Sequence, residues 1–245
     1  MAQTTQAPTR PAAEVIEQAA VSQSASGICY SSAGEIPLGS SELERMVNTV
    51  PQPIAAALVR RAFYFVPLTV SQGEETLIAD RYDVALSESA VCHRNLTCGT
   101  SQCVFISTRL MDDKFSIAFE FFINVAHLFV EQAVGSVQFS ELAWKQVEEG
   151  IRGETSLDAW ELRKLGTSGG NESERARTEY FEAAFADSIA VYMLATFLDV
   201  DYHDLRERDY PLLAPAALGE RLRLIQQLFP ANTGYEFAVY YRRKQ

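Results

Sequence analysis

Four polar side chains interrupt the apolar run "SIAFEFFINVAHLFVEQAVG" (residues 116–135): Glu120, Asn124, His127 and Glu131. At about 100° per residue they fall within about 60° of one another on a helix. A buried polar group left unpaired costs roughly 1–3 kcal/mol, so such a stripe is either internally satisfied or lines a site. An imidazole beside carboxylates can move protons, and an amide can orient a carbonyl. With a carboxylate from a second helix, the same groups can hold a metal ion. A second helix of this kind is read in "RTEYFEAAFADSIAVYMLA" (177–195), which carries Glu179 and Glu182 at i, i+3 with Asp187 nearby.

An apolar strand ending in a short loop, this helix, an intervening helix and then "EYFEAAFADSIAVYM" resemble the anthrax lethal-factor-like metallopeptidases, over about residues 60–230. The resemblance implies a zincin-like fold. It implies that Glu179 stands at the third zinc ligand, with Ala183 at the family's second Glu. "DYHDLRERDYPLLAP" is similar to the segment after the ligand helix, and "CVFISTRL" corresponds to the edge strand on which an extended substrate is laid. The family's H-E-x-x-H places two imidazoles one turn apart on zinc, with the Glu as general base. Here the three histidines are His93, His127 and His203, and none lies four residues from another. Aligning "INVAH" keeps His127 as a ligand and puts Ile123 and Asn124 at the other ligand and the base. Aligning "FEFFI" keeps Glu120 as the base but puts Phe119 and Ile123 at both ligand positions. The first register is preferred, because it keeps His127 and Glu179 together. In either one the zinc site is incomplete, and Asn124 cannot take a proton from water as a carboxylate does.

The expectation is a catalytically degenerate metallopeptidase-like protein that does not hydrolyse peptides with zinc. It would act as a binding or regulatory protein through the former cleft, with His127, Glu120, Asn124 and Glu179 as pocket groups and no cofactor. The alternative is a metal-independent enzyme of isomerase, lyase or cyclase type, reusing the cleft for a small apolar substrate as in a biosynthetic pathway. A wholly structural reading has the stripe satisfied inside an inherited core. No metal is expected; were one held, His127, Glu131 and Glu179, with Glu120, suit iron or manganese better than zinc. The partner expected is a small apolar molecule or a protein ligand, since Phe119, Phe121, Phe122, Phe129, Phe181 and Phe185 gather on the two helices.

The elements that position these groups read as α+β: a small mixed sheet, then a mainly helical half with the active-site helix and a Glu-bearing helix. Residues 1–35, rich in Ala, Ser, Thr, Gln and Pro, read as a mobile N-terminal arm, and 36–245 as a single zincin-like domain. Strands are expected over 63–70 and 102–110, and helices over 114–135, 138–151, 174–198 and 216–229. A net charge of −11 argues against a nucleic-acid partner. No uninterrupted apolar run reaches the roughly 18 residues of a membrane span. The N-terminus lacks a signal-peptide pattern, which favours the cytoplasm. Sequons at Asn95 and Asn171 and four cysteines (Cys29, Cys92, Cys98, Cys103) leave secretion and the disulfide state open.

Overall fold

The computed structural model describes residues 7–72, 75–111, 113–133, 135–205 and 209–241. The chain divides into two compact units, one ending at Phe121 and the next beginning at Phe122.

The first unit carries β1 (Thr9–Pro11), α1 (Ala12–Gln18), β2 (Ser22–Gln23), β3 (Cys29–Ser32), α2 (Ser40–Asn48) and α3 (Gln52–Ala57). It continues with β4 (Arg61–Val66), β5 (Leu68–Gln72), β6 (Glu75–Ala79), α4 (Val84–Ser87), β7 (Ala90–Val91), β8 (His93–Cys98) and β9 (Ser101–Ser107). The run "FYFVPLTV" is two strands, not one. Pro67 has no N–H for a ladder, so the chain leaves one sheet at Val66 and enters the other at Leu68. A five-stranded sheet runs β2-β3-β4-β9-β8, with β3, β4 and β9 parallel. A four-stranded antiparallel sheet runs β1-β6-β5-β7. Aromatic packing fixes the core: Phe63 meets Phe121 edge-on at 5.1 Å, and Tyr64 stacks on Phe105 at 4.9 Å. Such pairs contribute about 0.5–1.5 kcal/mol each beyond their buried area.

Two expectations are corrected by this topology. The strand containing "CVFIS" is not an edge. β8 folds back on β9 through a turn at Gly99, whose φ of 60° is a left-handed value, so β8 takes the edge and β9 lies inside. The supposed arm is also structured over its described part. Ala12 and Val15 of α1 are buried in a cluster with Tyr64 and Phe105, because "AAEVIEQ" presents one small apolar face to the sheet. Residues 1–6 lie outside the described residues.

α5 (Lys114–Val130) contains the division between the units. Asp113 caps it by accepting from the Ser116 N–H at 2.8 Å. The second unit then carries α6 (Val137–Glu148), α7 (Leu157–Thr167), α8 (Asn171–Phe197), β10 (Val200–Asp201), a 3₁₀ turn (Tyr202–Leu205), α9 (Pro215–Leu228) and β11 (Val239–Tyr240), which pairs parallel with β10. α7 is an addition to the helices expected from the sequence; its mixed face gives weak periodicity, and its start is set by Ser156, which caps Ala159 at 3.1 Å. α8 is buried on all sides from Ala184 to Phe197, which is why its second half shows almost no polar stripe. Arg206 to Arg208 of "DYHDLRERDYPLLAP" and the basic end of the tail, 242–245, lie outside the described residues. The architecture is α+β, with the five- and four-stranded sheets in the first unit and, in the second, mostly helices beside the β10-β11 pair.

Candidate functional site

The polar stripe of α5 does not act as one group. Glu120, in the first unit, pairs with His93 of β8, its Oε1 lying 2.6 Å from the imidazole Nδ1. That hydrogen bond raises the His93 pKa above its ordinary value, against an opposing effect of partial burial. Asn124 is buried, whereas His127 and Glu131 are exposed. Glu179, the expected third ligand, accepts from Arg175 Nε one helical turn away at 2.7 Å, and its side chain is 42% exposed. Among the described residues, no three His, Cys, Asp or Glu side chains are placed to hold a metal ion, so the set His127, Glu131 and Glu179 is not gathered. The four cysteines are free thiols.

His127 instead belongs to a setting built around Asp187. This carboxyl is buried in the middle of α8 and accepts from the Thr155 hydroxyl at 2.9 Å. Burial pushes its pKa up to about 6, while hydrogen bonds from Ser156 and Thr155 and the charge of His127 pull it back. Thr155 and Ser156 reach Asp187 because they form the capped start of α7. Sequence reading set Asp187 near Glu179 and Glu182 on the second helix but had no signal for Thr155 and Ser156, which come from a loop.

Next in the chain to Thr155 is an ion cluster centred on the buried Glu154 carboxylate. The Glu154 carboxylate accepts from Arg221 Nη1 at 2.8 Å, Tyr180 Oη at 2.8 Å and Arg163 Nη1 at 3.2 Å. Arg221 also donates through Nε to Gln146 at 2.8 Å, and both Glu154 and Arg221 have no exposed side-chain surface. Gly153 permits this arrangement: its φ is 94°, and a Cβ there would collide with the Leu212 carbonyl. Burial pushes the Tyr180 phenol well above its ordinary pKa, so it stays a donor. Every member is paired within the protein, and the cluster holds α6, α7, α8 and α9 in register.

This unit also carries an open groove of about 540 Å³ between the end of α5, α6 and α8. Its floor and walls include Val130, Val137, Trp144, Phe181 and Phe185. That volume falls in the range of roughly 300–1,000 Å³ typical of small-molecule sites. Val137 is 70% exposed, an apolar side chain left uncovered at the groove mouth. Arg177 lies over the face of Trp144 at 3.9 Å from the ring centroid. Sequence reading counted Phe181 and Phe185 toward an apolar pocket but missed Trp144 and Arg177, whose helical surroundings look like ordinary amphipathic faces.

No family model, no curated protein and no solved structure matches this chain. Among the described residues, no helix is long and apolar enough to cross a membrane.

Proposed function

We propose that this chain is a zincin-like protein that has lost zinc hydrolysis and acts by binding, with the groove of its helical unit taking the ligand. The observation that carries this reading is the groove itself: a preformed, largely apolar recess of about 540 Å³ walled by Trp144, Phe181 and Phe185. Two further facts support it. Glu120 and Glu179 are engaged by His93 and Arg175, so neither presents a bare carboxylate to a reacting centre. His127 has no second imidazole one helical turn away to share an ion. Elemental analysis of protein purified without chelators, combined with a peptidase assay, tests the first half of the proposal. One equivalent of zinc together with peptide hydrolysis would sink it. For the second half, Phe181→Ala and Val137→Asp should abolish binding of apolar ligands without unfolding the chain.

A second reading, a metal-independent enzyme of isomerase, lyase or cyclase type, is favoured by one observation. His127 is exposed and lies within electrostatic reach of the buried Asp187, a setting in which an imidazole can exchange protons with a bound molecule. It requires that the molecule recovered after incubation with wild-type protein differs by mass or chromatography from the one added. Recovery of unchanged molecule from wild type, or of the same product from His127→Ala, eliminates it.

A further inference from the structure

We propose that the groove between α6 and α8 takes an uncharged apolar molecule of one or two rings, held by aromatic walls and carrying no ionised group. This rests on the reading of the groove as the ligand site and names its ligand class.

The charges of the groove stand in water. Glu141, Lys145 and Glu148 of α6 and Arg177 and Glu182 of α8 line it, three acids and two bases, and all five residues are exposed. The less exposed part of the lining is uncharged: Val130, Trp144 and Phe181 are half-buried and Phe185 is buried. Ser140, also half-buried, adds a neutral hydroxyl that suits an alcohol or a carbonyl.

Both bases already have acids beside them. Trp144 packs on Phe181 at 6.0 Å and Phe139 packs on Phe185 at 4.9 Å, so α6 and α8 run antiparallel. One turn beyond the Trp144–Phe181 contact, Glu148 of α6 is level with Arg177 of α8. Arg177 also lies over the Trp144 ring, 3.9 Å from its centroid. Lys145 has Glu141 and Glu149 one turn away on either side, and its Nζ is 3.7 Å from Glu149. An anionic ligand therefore finds neither base unmatched and meets three carboxylates. The acid in excess is Glu182, which has no base one turn away on α8. It is exposed, so solvent and salt screen it and an ammonium gains little there.

An ionised ligand thus gives up hydration at this groove without gaining a desolvated partner of opposite charge. A neutral ring gives up nothing of that kind. It covers Phe181, Phe185 and Val137, the last 70% exposed. Trp144 and Phe181 meet at 82° between their planes, which presents a ligand ring with an edge and a face.

Calorimetric titration of the full chain at neutral pH with 2-naphthol, 2-naphthoate and 2-naphthylmethylamine tests this, because the three share a ring system and differ in charge. 2-Naphthol should bind, and the anion and the cation should each bind at least about fivefold more weakly. Lys145→Gln and Glu182→Gln, each removing one exposed charge, should leave 2-naphthol binding within about twofold. Phe181→Ala and the surface variant Val137→Asp should abolish it. Naphthoate or the amine binding as tightly as 2-naphthol overturns the uncharged assignment while the groove reading stands. A loss of about tenfold or more in either charge variant, with the fold intact, does the same. 2-Naphthol binding that survives both Phe181→Ala and Val137→Asp overturns the groove as the site. Binding of none of the three probes overturns both readings.

Discussion

His93–Glu120 in the first unit and Glu154–Arg221 in the second are both charge pairs set by tertiary structure, but water treats them differently. The first is 2.6 Å long and its imidazole is 45% exposed; the second is 2.8 Å long and has no exposed side-chain surface at all. At the surface, solvent screens the attraction and takes back either partner that is released, so the pair is worth little. In the interior, the desolvation of both ions has already been met at folding, and removing one partner strands the other. Length alone does not rank the two pairs. Burial does.

The largest test of this contrast is Arg221→Met, which leaves the Glu154 carboxylate buried with only Tyr180 and Arg163. It should cost about 3–5 kcal/mol in denaturant unfolding. A loss below about 1 kcal/mol would mean that the pair is not buried as described.

Asp187 is the next probe, because it is a buried carboxyl with no cationic partner bonded to it. Its folded pKa, about 6, is above the ordinary 3.8. A raised pKa means that the native state binds the proton more tightly than the unfolded chain. The stability this group contributes is therefore fully present below about pH 4 and is lost as the pH rises through 6. Asp187→Asn resembles the protonated form and still accepts from Thr155. It should stabilise the protein by up to about 3 kcal/mol at pH 7–8 and by almost nothing near pH 4, a difference that thermal melts across pH would register.

Tyr180→Phe deletes one donor to Glu154 and one acceptor for Arg221 without changing shape. A loss of about 1.5–3 kcal/mol is expected, since both partners are ionic and have no water to turn to. The smallest effect should come from His93→Gln. The hydrogen bond to Glu120 raises the His93 pKa, so its contribution is present below about pH 6.5 and fades as pH rises through the folded value. With the imidazole nearly half exposed, that contribution stays under about 1 kcal/mol and disappears in high salt. A pH-independent loss of several kcal/mol would place His93 in the structural core instead.

Much of the scaffold is legible in the chain alone. The apolar periodicity of "KFSIAFEFFINVAHLFV" and "EYFEAAFADSIAVYM" marks α5 and α8, and β-branched runs mark β4 and β9, because those patterns are local and regular. The strand break at Pro67 is legible in principle from its missing donor. The site is legible only in part. Arg221 sits among Leu218, Leu222 and Ile225 on the apolar face of α9, and an arginine on such a face signals a buried partner. Nothing local names Glu154, 67 positions earlier, as that partner. His93 and Glu120 are 27 residues apart on a strand and a helix, and their pairing depends on where β8 folds back.

By itself, then, the sequence determined the α+β class, the two apolar helices and the absence of a complete H-E-x-x-H, since composition, periodicity and residue spacing are properties of the chain alone. Tertiary structure decided which charges became buried partners, that Glu120 turned to His93, and that Trp144 and Arg177 shape an open groove. Those outcomes depend on which surfaces lose water when distant segments meet, and no local pattern of residues encodes that.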